Sequence, residues 1–157
     1  MNSLMIGFAS MSGNTEEIAD VLKAHLENYG FHVTLDEIDE IDPHEFKNYS
    51  GVLLGSYTWN DGDLPYEVEE FYEDVTEADL IGVPIAVFGS GDSIYPHFCE
   101  AVNKLESACQ ESGAVIVSPS LKIEHYPEGD EDLSRCETFA AEFASFLTKH
   151  PFPYSTC

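Results

Sequence analysis

Basic residues are scarce: six lysines and arginines stand against 30 aspartates and glutamates in 157 residues, a formal net charge of −24. A chain of that sign cannot cover phosphates with a basic face, which excludes nucleic acid and disfavours anionic membrane surfaces. Long apolar runs are missing too, and nothing approaches the roughly 20 residues that a bilayer-spanning helix needs. The N-terminus has no basic segment, and its apolar run at residues 4–9 is too short for an export signal. Cys99, Cys109, Cys136 and Cys157 form no C-x-x-C pair and are too few for a disulfide framework, so they are expected to be reduced thiols of a cytoplasmic protein. The histidines, at positions 25, 32, 44, 97, 125 and 150, are scattered. No His or Cys spacing matches a ligand set, and no metal is expected. Repeats, low-complexity tracts and linkers are also missing.

With 43% hydrophobic residues over 157 positions, one domain covering residues 1–157 is expected, with a true core. Apolar runs of strand character recur at residues 4–9, 31–35, 51–55, 84–89 and 115–123, and helix-periodic stretches separate most of them. Ile18, Val21, Leu22 and Leu26 mark one helical face, with Gly30 as its stop; Phe98, Val102, Leu105 and Cys109 mark another. Leu133, Cys136, Phe139, Ala140, Phe143, Phe146 and Leu147 mark a last helix before Pro151. The second connection offers only a short helix starting near Pro43. The acidic runs at residues 67–70 and 128–132 fit solvated helix faces and termini, with partner docking as the second reading. Nearly continuous apolar strands joined by helices belong in a parallel sheet covered on both faces, an α/β fold. The tail Pro151-Phe152-Pro153-Tyr154 cannot continue a helix and is expected to lie loosely on the surface.

Ligands of open parallel sheets sit beyond the strands' carboxyl ends, and three loops there are unusual. Ser10-Met11-Ser12-Gly13-Asn14-Thr15 joins the first strand to a helix N-terminus; its hydroxyls and unpaired N–H groups suit a phosphate held without any cation, and Asn14 is a candidate helix cap. Read alone, the same turn is also an ordinary N-capped helix. The third strand runs into Gly55-Ser56-Tyr57-Thr58-Trp59-Asn60-Asp61, placing the only tryptophan in a polar loop, where a flat ligand would stack on it. The fourth runs into Gly89-Ser90-Gly91-Asp92-Ser93-Ile94-Tyr95, with a second aromatic at the same sheet edge. One phosphate cradle and two aromatics describe a mononucleotide with a planar heterocycle.

These loops resemble those of the flavodoxins. The matching residues are Ser10-Met11-Ser12-Gly13-Asn14-Thr15, Tyr57-Thr58-Trp59, and Gly91-Asp92-Ser93 with Tyr95, followed by Phe98-Cys99. The resemblance covers essentially the whole chain and is to the short-chain bacterial type. It implies a three-layer α/β/α sandwich around a five-stranded parallel sheet of order 2-1-3-4-5. It also implies non-covalently bound FMN and low-potential one-electron transfer between a flavodoxin reductase and an acceptor oxidoreductase, both basic-faced, by an acidic monomer. By resemblance, Ser10, Ser12, Asn14 and Thr15 bind the phosphate with the backbone of Met11 and Gly13, assisted by Thr58. Trp59 covers the inner face of the flavin and Tyr95 the outer. The backbone of Ser90, Gly91 and Asp92 meets the pyrimidine edge, Asn60 and Asp61 lie beside N5, and Ser56, Tyr57 and Cys99 complete the contact set.

Asn60 stands where the family commonly has glycine. Asparagine tolerates positive φ less readily, so the peptide flip that stabilises half-reduced flavin costs more here. Asn60→Gly is therefore expected to raise the yield of half-reduced flavin in a reductive titration, an unchanged yield being the contrary result. Two rivals stand beside the carrier reading. A flavodoxin-like enzyme or activator, such as a quinone reductase domain or a ribonucleotide-reductase flavoprotein, needs a substrate pocket, and the loops hold no acid–base pair for one. A phosphoacceptor signalling domain needs paired acids after the first strand, where Ala9-Ser10-Met11-Ser12 stands instead. The acidic surface either steers docking onto basic partners or serves solubility alone.

Overall fold

Side chains alternate across the first strand and so define two cores. In the computed structural model, which describes residues 2–59, 62–94 and 97–149, strand β1 (Ser3–Phe8) sends Leu4, Ile6 and Phe8 into one core and Met5 into the other. The period of two is what a strand buried on both faces requires. Helix α1 (Asn14–Asn28) lays Ile18, Ala19, Leu22 and Leu26 on the first core and ends at Gly30, whose φ is 95°. Strand β2 (His32–Glu37) then pairs with β1 in parallel, from Ser3 opposite His32 onward.

The weak second connection contains two 3₁₀ helices, Ile38–Glu40 and Pro43–Asn48, the second starting at the expected proline. Strand β3 (Gly51–Tyr57) pairs with β1 on its other side. Helix α2 (Tyr66–Glu77) buries Val68, Phe71 and Val75; of the acidic run at 67–70, Glu69 and Glu70 lie on its exposed face, while Glu67 is half-buried. Strand β4 (Pro84–Gly91) and helix α3 (Glu100–Glu111) follow, with Val102, Leu105 and Cys109 in the second core. Helix α4 (Gly129–Lys149) closes the first core with Cys136, Phe139, Ala140 and Phe143. Helices α1 and α4 thus cover one face of the sheet, and α2 and α3 the other.

The strand order is β2-β1-β3-β4-β5, all parallel, as the resemblance implies. One element departs from expectation. Residues 115–123 are not one strand: β5 (Val115–Ile116) pairs with Pro84 and Ile85, and β6 (Leu121–Glu124) pairs with Phe88 to Gly91. Pro119 stands between them and has no N–H for a ladder. Since β3 occupies the other edge of β4, the two pieces together fill the fifth position, and β6 delivers its carboxyl end beside that of β4. No helix among the described residues is long and apolar enough to cross a membrane. The tail, 150–157, lies outside the described residues.

Candidate functional site

The carboxyl ends of β1, β3, β4 and β6 surround a cavity of about 260 Å³. Its walls are Ser10, Met11, Ser12, Asn14 and Thr15 from the first loop, Tyr57 and Thr58 from the second, Ser90, Gly91 and Asp92 from the third, and His125 after β6. Three loops distant in sequence therefore converge, and among the described residues no lysine or arginine lines the space they enclose. A wider groove of about 600 Å³ beside α1 and α4, lined by Tyr29, Glu137, Phe146 and Lys149 among others, gathers none of these loop residues.

The start of α1 differs from expectation in one respect. Its N-cap is Gly13, at φ 90°, and not Asn14, so the N-cap residue itself brings no side chain to the helix start. Glycine takes that left-handed conformation without the Cβ penalty, and Asn14 becomes the first helical residue with its amide on the cavity wall. A helix N-terminus whose N-cap is glycine keeps most of its N–H donors and its partial positive charge for an anion. Ser10 Oγ accepts a hydrogen bond from the Glu16 N–H at 3.3 Å, leaving its own proton free to donate. Thr15 is fully buried and shares a 2.7 Å hydrogen bond with Ser90 Oγ, tying the first loop to β4.

The second loop is braced at both ends. Thr58 Oγ1 accepts from the Ala101 N–H at 3.1 Å, linking the loop to the first turn of α3. Tyr57 donates its hydroxyl to both carboxylate oxygens of Glu67 at 3.0 Å; burial first, then that hydrogen bond, pushes its phenol up to about 12, so it stays neutral. Trp59 packs edge-on to Tyr57 with centroids 6.5 Å apart. It exchanges two backbone hydrogen bonds with Asp63, of 2.8 and 2.9 Å, which close the loop, and Lys104 Nζ donates to the Gly62 carbonyl at 2.8 Å. Trp59 remains 43% exposed although its backbone is held by Asp63, as a stacking platform must be. Asn60, Asp61 and Tyr95, assigned to the flavin's edge and outer face, lie outside the described residues.

Two expected contacts stand behind the cavity wall. Ser56 is fully buried and donates to the Tyr57 carbonyl at 2.7 Å. Cys99 is buried under Gly91, where a Cβ would come within 2.9 Å of its Sγ, and burial pushes its thiol up to about 12. Neither side chain lines the cavity, so both shape the loops that do.

His125, in contrast, lines the cavity and was not among the expected residues. Its N–H donates to the Gly91 carbonyl at 2.9 Å, its φ is 61°, and its Nε2 is 3.5 Å from Asp92 Oδ2. Glu124 accepts hydrogen bonds from the N–H and hydroxyl of Ser93, so the β6 end and the β4 loop are pinned together twice. The Ile94 N–H, first, and then His125 hold the Asp92 carboxyl below the usual range; the Ser93 hydroxyl and N–H do the same for Glu124. In sequence His125 was one of six scattered histidines. Only the pairing of Gly91 with Glu124 in the sheet brings it to the site.

The profile of the flavodoxin family matches residues 6–139. The chain belongs to that family. Probable flavodoxin 1 of Bacillus subtilis is 47% identical over 146 residues, covering 93% of this chain and 92% of that protein. The crystal structure of oxidised Flavodoxin 2 from Bacillus cereus, 48% identical, superposes with a TM-score of 0.88 over 91% of this chain and 98% of that one. A short-chain flavodoxin associated with a PDU bacterial microcompartment, 32% identical, also reaches 0.88, over 92% and 98% of the two chains. Flavodoxins carry FMN and pass electrons between redox proteins; they are carriers, not enzymes. The site fits that cofactor: the hydroxyl-rich cavity wall at a helix start suits a phosphate monoester, and Trp59, which does not line that cavity but follows Thr58 on the same loop and is exposed, suits a planar ring.

Proposed function

We propose that this flavodoxin seats the phosphate of FMN on the turn at residues 10–15 and its ring between Trp59 and Tyr95. The observation that carries this reading is the cavity at the start of α1, where the N-cap is Gly13 and no lysine or arginine lines the wall among the described residues. FMN, when bound, supplies a ring that takes up and releases electrons. The hydroxyls of Ser10, Ser12 and Thr15, the amide of Asn14 and the main chain of Met11 and Gly13 hold the phosphate, with Thr58 assisting. The backbone of Ser90, Gly91 and Asp92 positions the pyrimidine edge, and Asn60 and Asp61 flank the opposite one. Ser56, Tyr57 and Cys99 support these loops. A ring between aromatic faces, beside carboxylates and with no lysine or arginine lining its cavity among the described residues, resists added negative charge, which makes the carrier strongly reducing.

The partners in this reading are basic-faced redox proteins, a flavodoxin reductase and an acceptor oxidoreductase. They meet a cytoplasmic monomer folded as one domain over residues 1–157. Met11, Trp59 and Ile94 are exposed on the loops around the cavity, and the exposed Asp63 and Glu124 stand among them. A small apolar contact ringed by charge favours brief, steered encounters.

Trp59 is the only tryptophan, so its emission tests the seating directly. Titrating the apoprotein with FMN is expected to quench that emission with one-to-one stoichiometry. Unchanged emission while FMN binds would remove Trp59 from the ring, and a protein that takes up no FMN would sink the reading altogether.

A further inference from the structure

We propose that His125 is a proton-linked positioning residue for flavin reduction: its imidazole takes up a proton as electrons enter the ring and releases it as they leave. This rests on the seating of FMN given above. The placement follows from the sheet. Strand β6 pairs with β4 so that Glu124 lies opposite Gly91, and the next residues, His125 and Asp92, stand side by side on the cavity wall with Nε2 3.5 Å from Oδ2. His125 is fastened there by its N–H to the Gly91 carbonyl. It therefore stands on the same wall as the Ser90-Gly91-Asp92 backbone, the stretch assigned to the ring's pyrimidine edge.

Imidazole is the side chain whose charge changes near neutrality. The groups that face it come from several elements. Asp92 after β4 and Glu124 on β6 are both held below the usual carboxylate range by their own hydrogen bonds and so stay ionised near neutrality. Across the groove behind it stand Glu128, Glu131 and Asp132 at the start of α4, opposed by Lys122 on β6 and Arg135 on α4. Arg135 is engaged with the Lys122 carbonyl at 2.7 Å and with Asp132 at 3.8 Å. On the cavity side Tyr57 is neutral, and the first loop carries only hydroxyls and an amide. His125 is thus the one group lining the described cavity that can become a cation.

The balance is simple. Electrons arrive from the donor protein and raise the negative charge in the cavity; a proton from solvent then forms an N–H bond on the imidazole. Reoxidation sends the electrons to the acceptor and the proton back to water. By reciprocity, a bound proton on His125 makes reduction easier, so the carrier becomes less reducing as pH falls through the imidazole's titration and more reducing as it rises.

The ring's own acid–base equilibrium also bends the potential with pH, so the imidazole itself is the readout. In holoprotein, the His125 ring proton is followed by NMR through a pH titration in the oxidised and the fully reduced state, assigned by its loss in His125→Asn. Asparagine suits the positive φ. Reduction is expected to raise the His125 midpoint by about half a pH unit or more, the scale of a partly screened unit charge nearby. His32, at the amino end of β2, serves as the control and is expected not to move. In the same pH range the potential of His125→Asn is expected to vary less steeply than that of the native protein. Equal His125 midpoints in the two oxidation states, with FMN bound, would overturn the inference while leaving the seating intact. Failure to bind FMN at all would instead overturn the seating.

Discussion

Replacing Ser12 with aspartate is expected to raise the dissociation constant for FMN about a thousandfold while changing that for riboflavin less than about threefold. Two unit charges 4 Å apart repel by about 4 kcal/mol at an effective dielectric of about 20, and about 1.4 kcal/mol is a factor of ten in affinity. In most phosphate sites a nearby lysine or arginine would absorb part of that repulsion; here no such residue lines the described cavity. The new carboxylate also competes for the donors themselves. Gly13 caps α1 with no side chain, so an aspartate beside it can accept the N–H groups that the phosphate needs.

The same substitution separates binding from folding. Ser12 is exposed, and a carboxylate near a helix N-terminus stabilises the helix by about 0.3–1 kcal/mol. The apoprotein should therefore unfold at an equal or slightly higher urea concentration, although FMN no longer binds well. Ser12→Ala, which removes one donor and adds no charge, is expected to cost only about 1.5 kcal/mol, the lower end for a hydrogen bond to a charged group. Calorimetric titration of both variants with FMN and with riboflavin decides the matter. A Ser12→Asp protein that binds FMN as well as Ser12→Ala does would place the phosphate elsewhere.

Much of this site was legible because its parts are local. The hydroxyl turn, the lone tryptophan and the glycine-rich third loop each follow an apolar run, and each sits where a parallel sheet opens. Helix α1 announced itself through Ile18, Leu22 and Leu26, and α4 through Cys136, Phe139, Ala140 and Phe143. Helix α2 showed only its acidic side, because Glu67, Glu69 and Glu70 interrupt the wider-spaced Val68, Phe71 and Val75. The break at Pro119 was hidden between two apolar stretches that look like one. Cap choice at α1 turned on a positive φ at Gly13, which a preference for polar caps does not foresee. His125 was out of reach for a different reason: its neighbourhood is made by strand register, and nothing in its flanking residues points to Gly91 or Asp92.

Register also sets the second large effect. Gly55 lies in β3 between Phe8 of β1 and Phe88 of β4, and a Cβ built on it would meet the Phe88 ring at 2.2 and 2.3 Å. Phe88 is fully buried, and an aromatic ring in a close-packed core has nowhere to swing. Gly55→Ala is therefore expected to destabilise the apoprotein by about 3 kcal/mol, the upper range for overpacking. Phe88→Leu alone loses part of the ring's burial and is expected to cost about 1.5 kcal/mol, less than full truncation. Combined, the shorter side chain makes room for the added methyl, so the double variant should be more stable than the sum of the single losses predicts, by about 1 kcal/mol or more. Urea midpoints at constant m-value give all three numbers. Strict additivity would mean that the methyl is accommodated by backbone movement and not by the ring. Such movement at Gly55 would pass directly into Ser56, Tyr57 and Thr58, so the same variants link core packing to FMN affinity. Gly55→Ala should weaken FMN binding, and Phe88→Leu in the same chain should restore part of it.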